Sequence, residues 1–481
     1  MSTGPIVRTE ALPKAPPSAA VIIALLVFSA FVMILNETIM SVALPVLIVD
    51  LDIAARTAQW LTSGFLLTMA VVIPMSGSLL QRFSVRTIFT CAMSLFSGGT
   101  LIAALAPGFP ALLAGRIVQA CGTAVMVPLL MTTVMKLIPA ERRGQTMGTI
   151  SIVIAVAPAV GPTLSGIILG SLNWRWTFWI VLPIALLAFA AGLTWLRVAD
   201  DREQHTPIDA ISVPLSAIAF AGLVFGLSEL GGHGGHGGQG VPAWIPLVVG
   251  TVAMLAFGAR QLQLQRVQRA FLDLTPFTYR RFAVSVGLVV IGFMGLFGAI
   301  IMIPLYVQDV LGRSALIAGL TSLPGGLLMG MAGPLVGRVY DRHGARRLVV
   351  PGSIMLFLAL CGFALMSAAT PIWVLVVLQT IMMVGLAMMF TPLMTDALGV
   401  LPDRLYSHGS AIMTTLQQVA GAAGTALFVT VMAKASTAGG APDMAGVHAA
   451  FVAAAIIGAV AVVGAFFTAA QPSPAGGTPV H

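Results

Sequence analysis

Pro128-Leu129-Leu130-Met131-Thr132, followed by Leu137-Ile138-Pro139-Ala140-Glu141-Arg142, returns later in the chain as Pro392-Leu393-Met394-Thr395, followed by Val400-Leu401-Pro402-Asp403-Arg404. The copies lie 264 residues apart. A second pair keeps nearly that spacing: Gly77–Arg86 is matched by Gly337–Arg346 at an offset of 260 residues. Two separate matches at almost one offset imply a duplicated unit. What is duplicated is apolar helix. Outward from the repeat, fourteen apolar runs fall near residues 19–45, 57–81, 86–106, 108–136, 144–170, 174–196, 208–230, 242–262, 282–308, 314–336, 347–367, 371–398, 408–433 and 446–468. A hydrocarbon core of about 30 Å takes about 20 helical residues to cross, so each run is long enough. With 58% hydrophobic and only 8% charged residues in 481, no sizeable soluble domain fits. The expected class is an all-α polytopic membrane protein.

The repeat divides the chain into a first six-helix bundle at 19–197 and a second at 282–468, with two inserted helices and linkers at 198–281 between them. Residues 1–18 and 469–481 are expected to be cytoplasmic tails. With the N-terminus inside, 19 of the 24 Lys and Arg residues fall on inner segments and four on outer ones, with Arg116 inside a span. Such a bias orients membrane proteins, which puts both termini in the cytoplasm; the expected location is the plasma (inner) membrane. The net charge of +8 follows from this inner excess and suits an anionic inner leaflet; it gives no reason to invoke nucleic acid. Cys91, Cys121 and Cys361 sit in separate runs and suggest neither disulfides nor a metal cluster. The start Met1–Ser18 contains Pro13, Pro16 and Pro17 and has no small-residue cleavage site after a short apolar core, so the first run reads as a retained span. His233 and His236 lie in a Gly-rich stretch at 231–240, which reads as a flexible outer loop. No metal and no cofactor are expected.

Several motifs resemble the major facilitator superfamily, and within it the fourteen-span drug:proton antiporters of the EmrB/QacA type. Ala157-Pro158-Ala159-Val160-Gly161-Pro162-Thr163-Leu164-Ser165-Gly166 is similar to that superfamily's antiporter motif, with Ser165 replacing one Gly. Pro162 removes a backbone hydrogen bond, and Gly161 with Gly166 permits close helix approach. The fifth span is therefore expected to be kinked and packed against the other half, with Gly326, Gly330, Gly333 and Gly337 of the tenth span as partner surface. Gly337-Arg338-Val339-Tyr340-Asp341-Arg342-His343-Gly344-Ala345-Arg346 resembles the superfamily's signature loop. Asp341 can pair with an Arg or a helix N-terminus and so hold one access state closed. The first-half copy around Gly77 and Arg82 has Gln81 where the family has an acid and Ser84 where it has Gly, so it cannot form the same ion pair.

Leu35-Asn36-Glu37-Thr38-Ile39-Met40-Ser41-Val42-Ala43-Leu44-Pro45 resembles the family's first-span run, with Asn36 in the usual Asp position. That variant, with Ile303–Gln308 and Gly409–Gln418, is similar to the lincomycin-resistance LmrB-like branch. Arg116-Ile117-Val118-Gln119-Ala120-Cys121-Gly122 resembles the superfamily's fourth-span motif. A charge within a bilayer requires a partner or a wet cavity. Glu37 is eight residues before Pro45 and Arg116 eight after Gly108, each about 12 Å from the outer helix end at 1.5 Å per residue, so Glu37 is the expected partner. Burial and a nearby Arg act oppositely on a carboxylate; the pair is either the proton-coupling site or a permanent structural salt bridge. Asp396 and Glu229 read as acids near helix ends. Asn36, Thr38, Trp60, Gln119, Thr414, Gln417 and Gln418, with Thr415, are expected to line a cavity between the halves. Met382, Met383, Met388 and Met389 either add adaptable apolar surface or simply pack.

Transporters made of paired repeats bind substrate between the repeats and rock about that site. The expected function is proton-coupled efflux of small amphipathic drugs or toxic compounds by a monomer in the bilayer. The alternative is proton-coupled export of one native metabolite, such as an amino acid, a peptide-like product or a lipid precursor. No phosphate loop, H-E-x-x-H or G-x-S-x-G occurs in the chain, which argues against ATP use and against an intramembrane enzyme.

Overall fold

The structure is a computed structural model that describes residues 19–196, 209, 211–229, 242, 244–266, 270–437 and 443–468. The two expected tails and the Gly-rich stretch with His233 and His236 lie outside the described residues.

The first half contains α1 (Ala19–Asp50), α2 (Ala55–Arg82), α3 (Val85–Ala104), α4 (Phe109–Leu137), α5 (Ala140–Ser171) and α6 (Trp176–Trp195). The inserted pair is α7 (Ser212–Ser228) and α8 (Trp244–Gln265). The second half contains α9 (Arg280–Leu305), α10 (Ala315–His343), α11 (Arg346–Ala364), α12 (Ile372–Gly399), α13 (Tyr406–Ala435) and α14 (Met444–Ala465). Twelve of these helices are long and apolar enough to cross a membrane. Among the described residues α7 is a shorter apolar helix of 17 residues.

Helix is forced on such a chain because lipid offers no partner for an open N–H or C=O. The ends are set locally. Ser84 and Asp443 cap α3 and α14 by accepting backbone N–H groups at 3.0 and 2.8 Å, and α10 stops at Gly344, whose φ of 78° suits glycine. Within the first half α3 packs on α4 and α6, α2 on α4, and α1 on α5; within the second, α12 packs on α9, α10 and α11, and α14 on α11 and α13.

The halves meet mainly where α5 crosses α10 and where α2 crosses α13. The duplication explains why there are two such seams. It relates α2 to α10 and α5 to α13, so one interface is a copy of the other. Helix α7 lies beside α2 and α13, one helix from each half.

Candidate functional site

The α5–α10 seam is built from glycine. A methyl group on Gly148 would collide with the Gly333 carbonyl, and one on Gly337 with the Gly144 carbonyl. Lipid supplies no hydrophobic drive between helices, so such close backbone approach is what makes them associate. At the end of this seam Asp341 accepts the Gly144 N–H through Oδ1 (2.8 Å) and the Gln145 N–H through Oδ2 (2.9 Å). The carboxylate thus sits near the N-terminus of α5, where the helix dipole favours negative charge. Arg342 and Arg346, its neighbours in the loop, are exposed.

The first-half copy works with reversed polarity. Gln81 Nε2 donates to the Arg404 carbonyl (2.9 Å), just before α13, while a methyl on Gly77 would come within 2.9 Å of His408 Nδ1 on that helix. Three further hydrogen bonds cross between the halves at the same end: Thr132 with Ser410 and Ser151 with Thr391, each at 2.9 Å, and Arg143 to the Tyr406 hydroxyl at 3.2 Å. Gln418 Nε2 reaches Met69 Sδ at 3.9 Å higher in the seam. Together these contacts seal one end of the interface, the end carrying the signature loops.

A second polar cluster lies within the first half. Arg116 is 1% exposed. Its Nη1 donates to Asn36 Oδ1 and Gln119 Oε1, both at 3.1 Å, and its guanidinium carbon lies 4.1 Å from the centre of the Phe65 ring. Gln119 in turn donates to Thr100 Oγ1 at 2.8 Å. Residues of α1, α2, α3 and α4 therefore converge on one buried charge. Glycines let them do so: Cβ atoms on Gly99, Gly115 and Gly122 would run into the facing backbone of the α3–α4 pair. Two carbonyl oxygens and a ring face satisfy part of the charge, while Arg116 Nε has no hydrogen-bond partner among the described residues.

Glu37 is partly exposed and near enough for its charge to act on Arg116. It is not within ion-pair distance, however, and the one salt bridge among the described residues joins Arg260 to Asp209. The expected direct Glu37–Arg116 pair is thus replaced by Asn36–Arg116, with the carboxylate alongside. Matching depth left the direction around the helix open, and Asn36, one residue away, is the side chain that faces Arg116.

Other expected positions also differ. Gly161 does not meet the second half: a Cβ there would strike Thr38 of α1, and Ser165 Oγ donates to the Ile39 carbonyl at 3.0 Å. Pro162 and Gly166 lie within the same continuous helix α5. Thr38 Oγ1 points back to the Leu35 carbonyl (3.0 Å) and towards the Ala157 carbonyl (3.4 Å), so it belongs to the α1–α5 contact. Gln119 faces α3 inside its own bundle. The Trp60 ring stacks on Phe225 of α7, with centroids 5.9 Å apart. Thr414 and Gln417 are each 8% exposed; Thr414 Oγ1 donates to the Ser410 carbonyl, whereas Gln417 Nε2 and Thr415 Oγ1 have no hydrogen-bond partner among the described residues. Asp396 is 1% exposed instead of water-accessible and accepts from Ser285 Oγ at 3.4 Å. Sequence reasoning missed Phe65 and Thr100, which carry no motif signal, and His408, a lone His in an apolar run.

Residues 26–425 match the Major Facilitator Superfamily profile. The chain belongs to the major facilitator superfamily. It is 40% identical over 411 residues to "Lincomycin resistance protein LmrB" of Listeria innocua, covering 85% of this chain and 86% of that one. It is 39% identical over 455 residues to the Bacillus subtilis protein of the same name, covering 92% and 94%. Among solved structures, the proton:xylose symporter XylE superposes with a TM-score of 0.66 at 15% identity, covering 94% of this chain and 98% of that one. As a facilitator-superfamily member with many spans, this is a multi-pass membrane protein of a family that carries small substrates.

Proposed function

We propose that the chain is a fourteen-span drug:proton antiporter of the EmrB/QacA type, nearest the LmrB-like branch, which exports amphipathic compounds by alternating access. It sits in the plasma membrane with both termini cytoplasmic. The observation that carries the reading is the placement of Glu37: a carboxylate in a span, partly exposed, beside a buried Arg116 whose direct hydrogen bonds go to neutral oxygens. Such a carboxylate can take or release a proton without breaking the Arg116 network. A permanent salt bridge would have made the two charges each other's direct partners.

With the positive-inside orientation the sealed signature-loop end is assigned to the cytoplasmic side, and the contacts there support reading this form as closed to the cytoplasm. In that form Glu37 takes a proton from outside as substrate leaves. Release of the Asp341 latch then opens the cytoplasmic end, where the proton departs and new substrate enters. Each proton moving through a 100 mV potential contributes about 2.3 kcal/mol, so no nucleotide is required. The two LmrB relatives make lincomycin the first compound to try. Purified protein in liposomes should move lincomycin against its gradient when a pH gradient is imposed and stop when that gradient is collapsed. Transport indifferent to the gradient would refute the coupling.

A further inference from the structure

The inserted pair is bound into one unit with the segment that follows it. Arg260 donates to both Asp209 oxygens, Nε to Oδ2 at 2.7 Å and Nη2 to Oδ1 at 2.8 Å, and this holds the Asp209 carboxyl well below the usual carboxylate range. Asp209 also caps α7 by accepting the Ser212 N–H and hydroxyl. Gln261 of α8, fully buried, donates to Ser212 Oγ at 2.8 Å and accepts the Phe271 and Leu272 N–H groups at 2.9 and 3.1 Å. Phe220, Phe257 and Phe271 stack edge to face in succession, one ring each from α7, α8 and the linker. Gln265 fixes the next residue by donating to Asp273 Oδ1 at 2.7 Å.

This unit touches both halves at the α2–α13 seam. To α2 it is attached twice, at well-separated points: the Ser78 hydroxyl donates to the Phe271 carbonyl, and Trp60 stacks on Phe225. To α13 one hydrogen bond is made at the sealed end, from the Asp273 N–H to Nδ1 of buried His408 at 3.3 Å. His408 lies in the first turn of α13 and presses against Gly77 of α2. It is the point where both halves and the linker meet.

We propose that α7, α8 and their linker travel with the first half, and that the Asp273–His408 hydrogen bond is a releasable strap holding α13 at the sealed end. The argument rests on the alternating-access reading. If the halves rock apart there, the linker cannot stay bound to both Ser78 and His408. Helix α7 lies against both α2 and α13, but α2 is held in addition by the Ser78 hydrogen bond and the Trp60 stacking, whereas α13 is held in addition by one neutral hydrogen bond, so the latter gives way. The inserted helices are then part of the closing machinery and set how readily the cytoplasmic end opens.

Nitroxide pairs in a background lacking Cys91, Cys121 and Cys361 test this by distance measurement. A pair at exposed Gln263 of α8 and exposed Asp403 beside α13 reports the strap; a pair at exposed Arg142 and Arg342 reports the α5–α10 seam. In Asp341→Asn both pairs should gain a longer distance together. His408→Leu, which fills the space without an acceptor, should raise the long-distance ratio of the strap pair about fivefold, as expected for one ordinary hydrogen bond. His408→Asn, whose amide oxygen can stand in for Nδ1, should stay near wild type. A strap pair fixed at one distance while the seam pair lengthens would overturn the proposal, as would equal shifts in the Leu and Asn variants. A seam pair that never changes would refute alternating access itself, and the strap with it.

Discussion

Asp341→Asn removes a charge and one acceptor from the seam while keeping the side chain's shape. In the wild type both carboxylate oxygens are used, at 2.8 and 2.9 Å from the Gly144 and Gln145 N–H groups. Asparagine can accept one of these and must point an NH₂ group at the other. A hydrogen bond to a charged group is worth about 1.5–3 kcal/mol, and a negative charge at a helix N-terminus about 0.3–2 kcal/mol. Losing one such bond and the charge should cost the sealed state about 2–5 kcal/mol, a shift of about 30-fold or more in the balance between sealed and open. Distance measurement between nitroxides at Arg142 and Arg342 reads that balance directly. The long-distance population should rise, and export should fall because the outward-facing state is depleted. A distance distribution within about threefold of wild type would show that Asp341 does not hold this end closed.

Gly148→Val has no room beside the Gly333 carbonyl and Pro334; overpacking of about 1–3 kcal/mol should open the same seam and expose a cysteine placed at Thr391 to an impermeant thiol reagent from the cytoplasmic side. Unchanged labelling would contradict the glycine seam. Gly161→Leu drives a side chain into Thr38 within the first half, so it should lower the unfolding temperature and impair transport without lengthening the Arg142–Arg342 distance; a lengthened distance with normal thermal stability would place its effect between the halves instead. Arg116→Ala leaves Asn36 Oδ1 and Gln119 Oε1 buried without their donor, at about 1–3 kcal/mol each, and should destabilise the protein in thermal unfolding. An unaltered unfolding temperature would mean that the network is not structural.

The helices were legible because an apolar run of about 20 residues in a chain with little polar material has one stable form in lipid. The repeat carried more than a helix count: two copies of one signature loop mean two related seams, found at α5–α10 and α2–α13. Facing was much harder to read. Depth placed Glu37 level with Arg116, but adjacent residues on a helix point about 100° apart, and packing turned Asn36 inward. The glycine in the antiporter-like motif announced a close contact without naming the neighbour, which is Thr38 of the same half. Trp60 and Gln119 were recognisable as polar groups within spans, yet what they touch is set by α7 and α3. The link from Asp273 to His408 joins a linker to a helix turn 135 residues away and has no periodicity or spacing that a sequence could display.

The central claim is that Glu37 carries the transported proton beside an Arg116 held by other groups. Glu37→Gln keeps the shape, removes the titration and leaves the Arg116 bonds to Asn36 and Gln119 in place. The decisive measurement is lincomycin exchange in proteoliposomes across an imposed pH gradient, with binding measured in parallel. The account predicts that the variant binds lincomycin like the wild type but no longer responds to the gradient. Gradient-driven exchange by Glu37→Gln at the wild-type rate would contradict it.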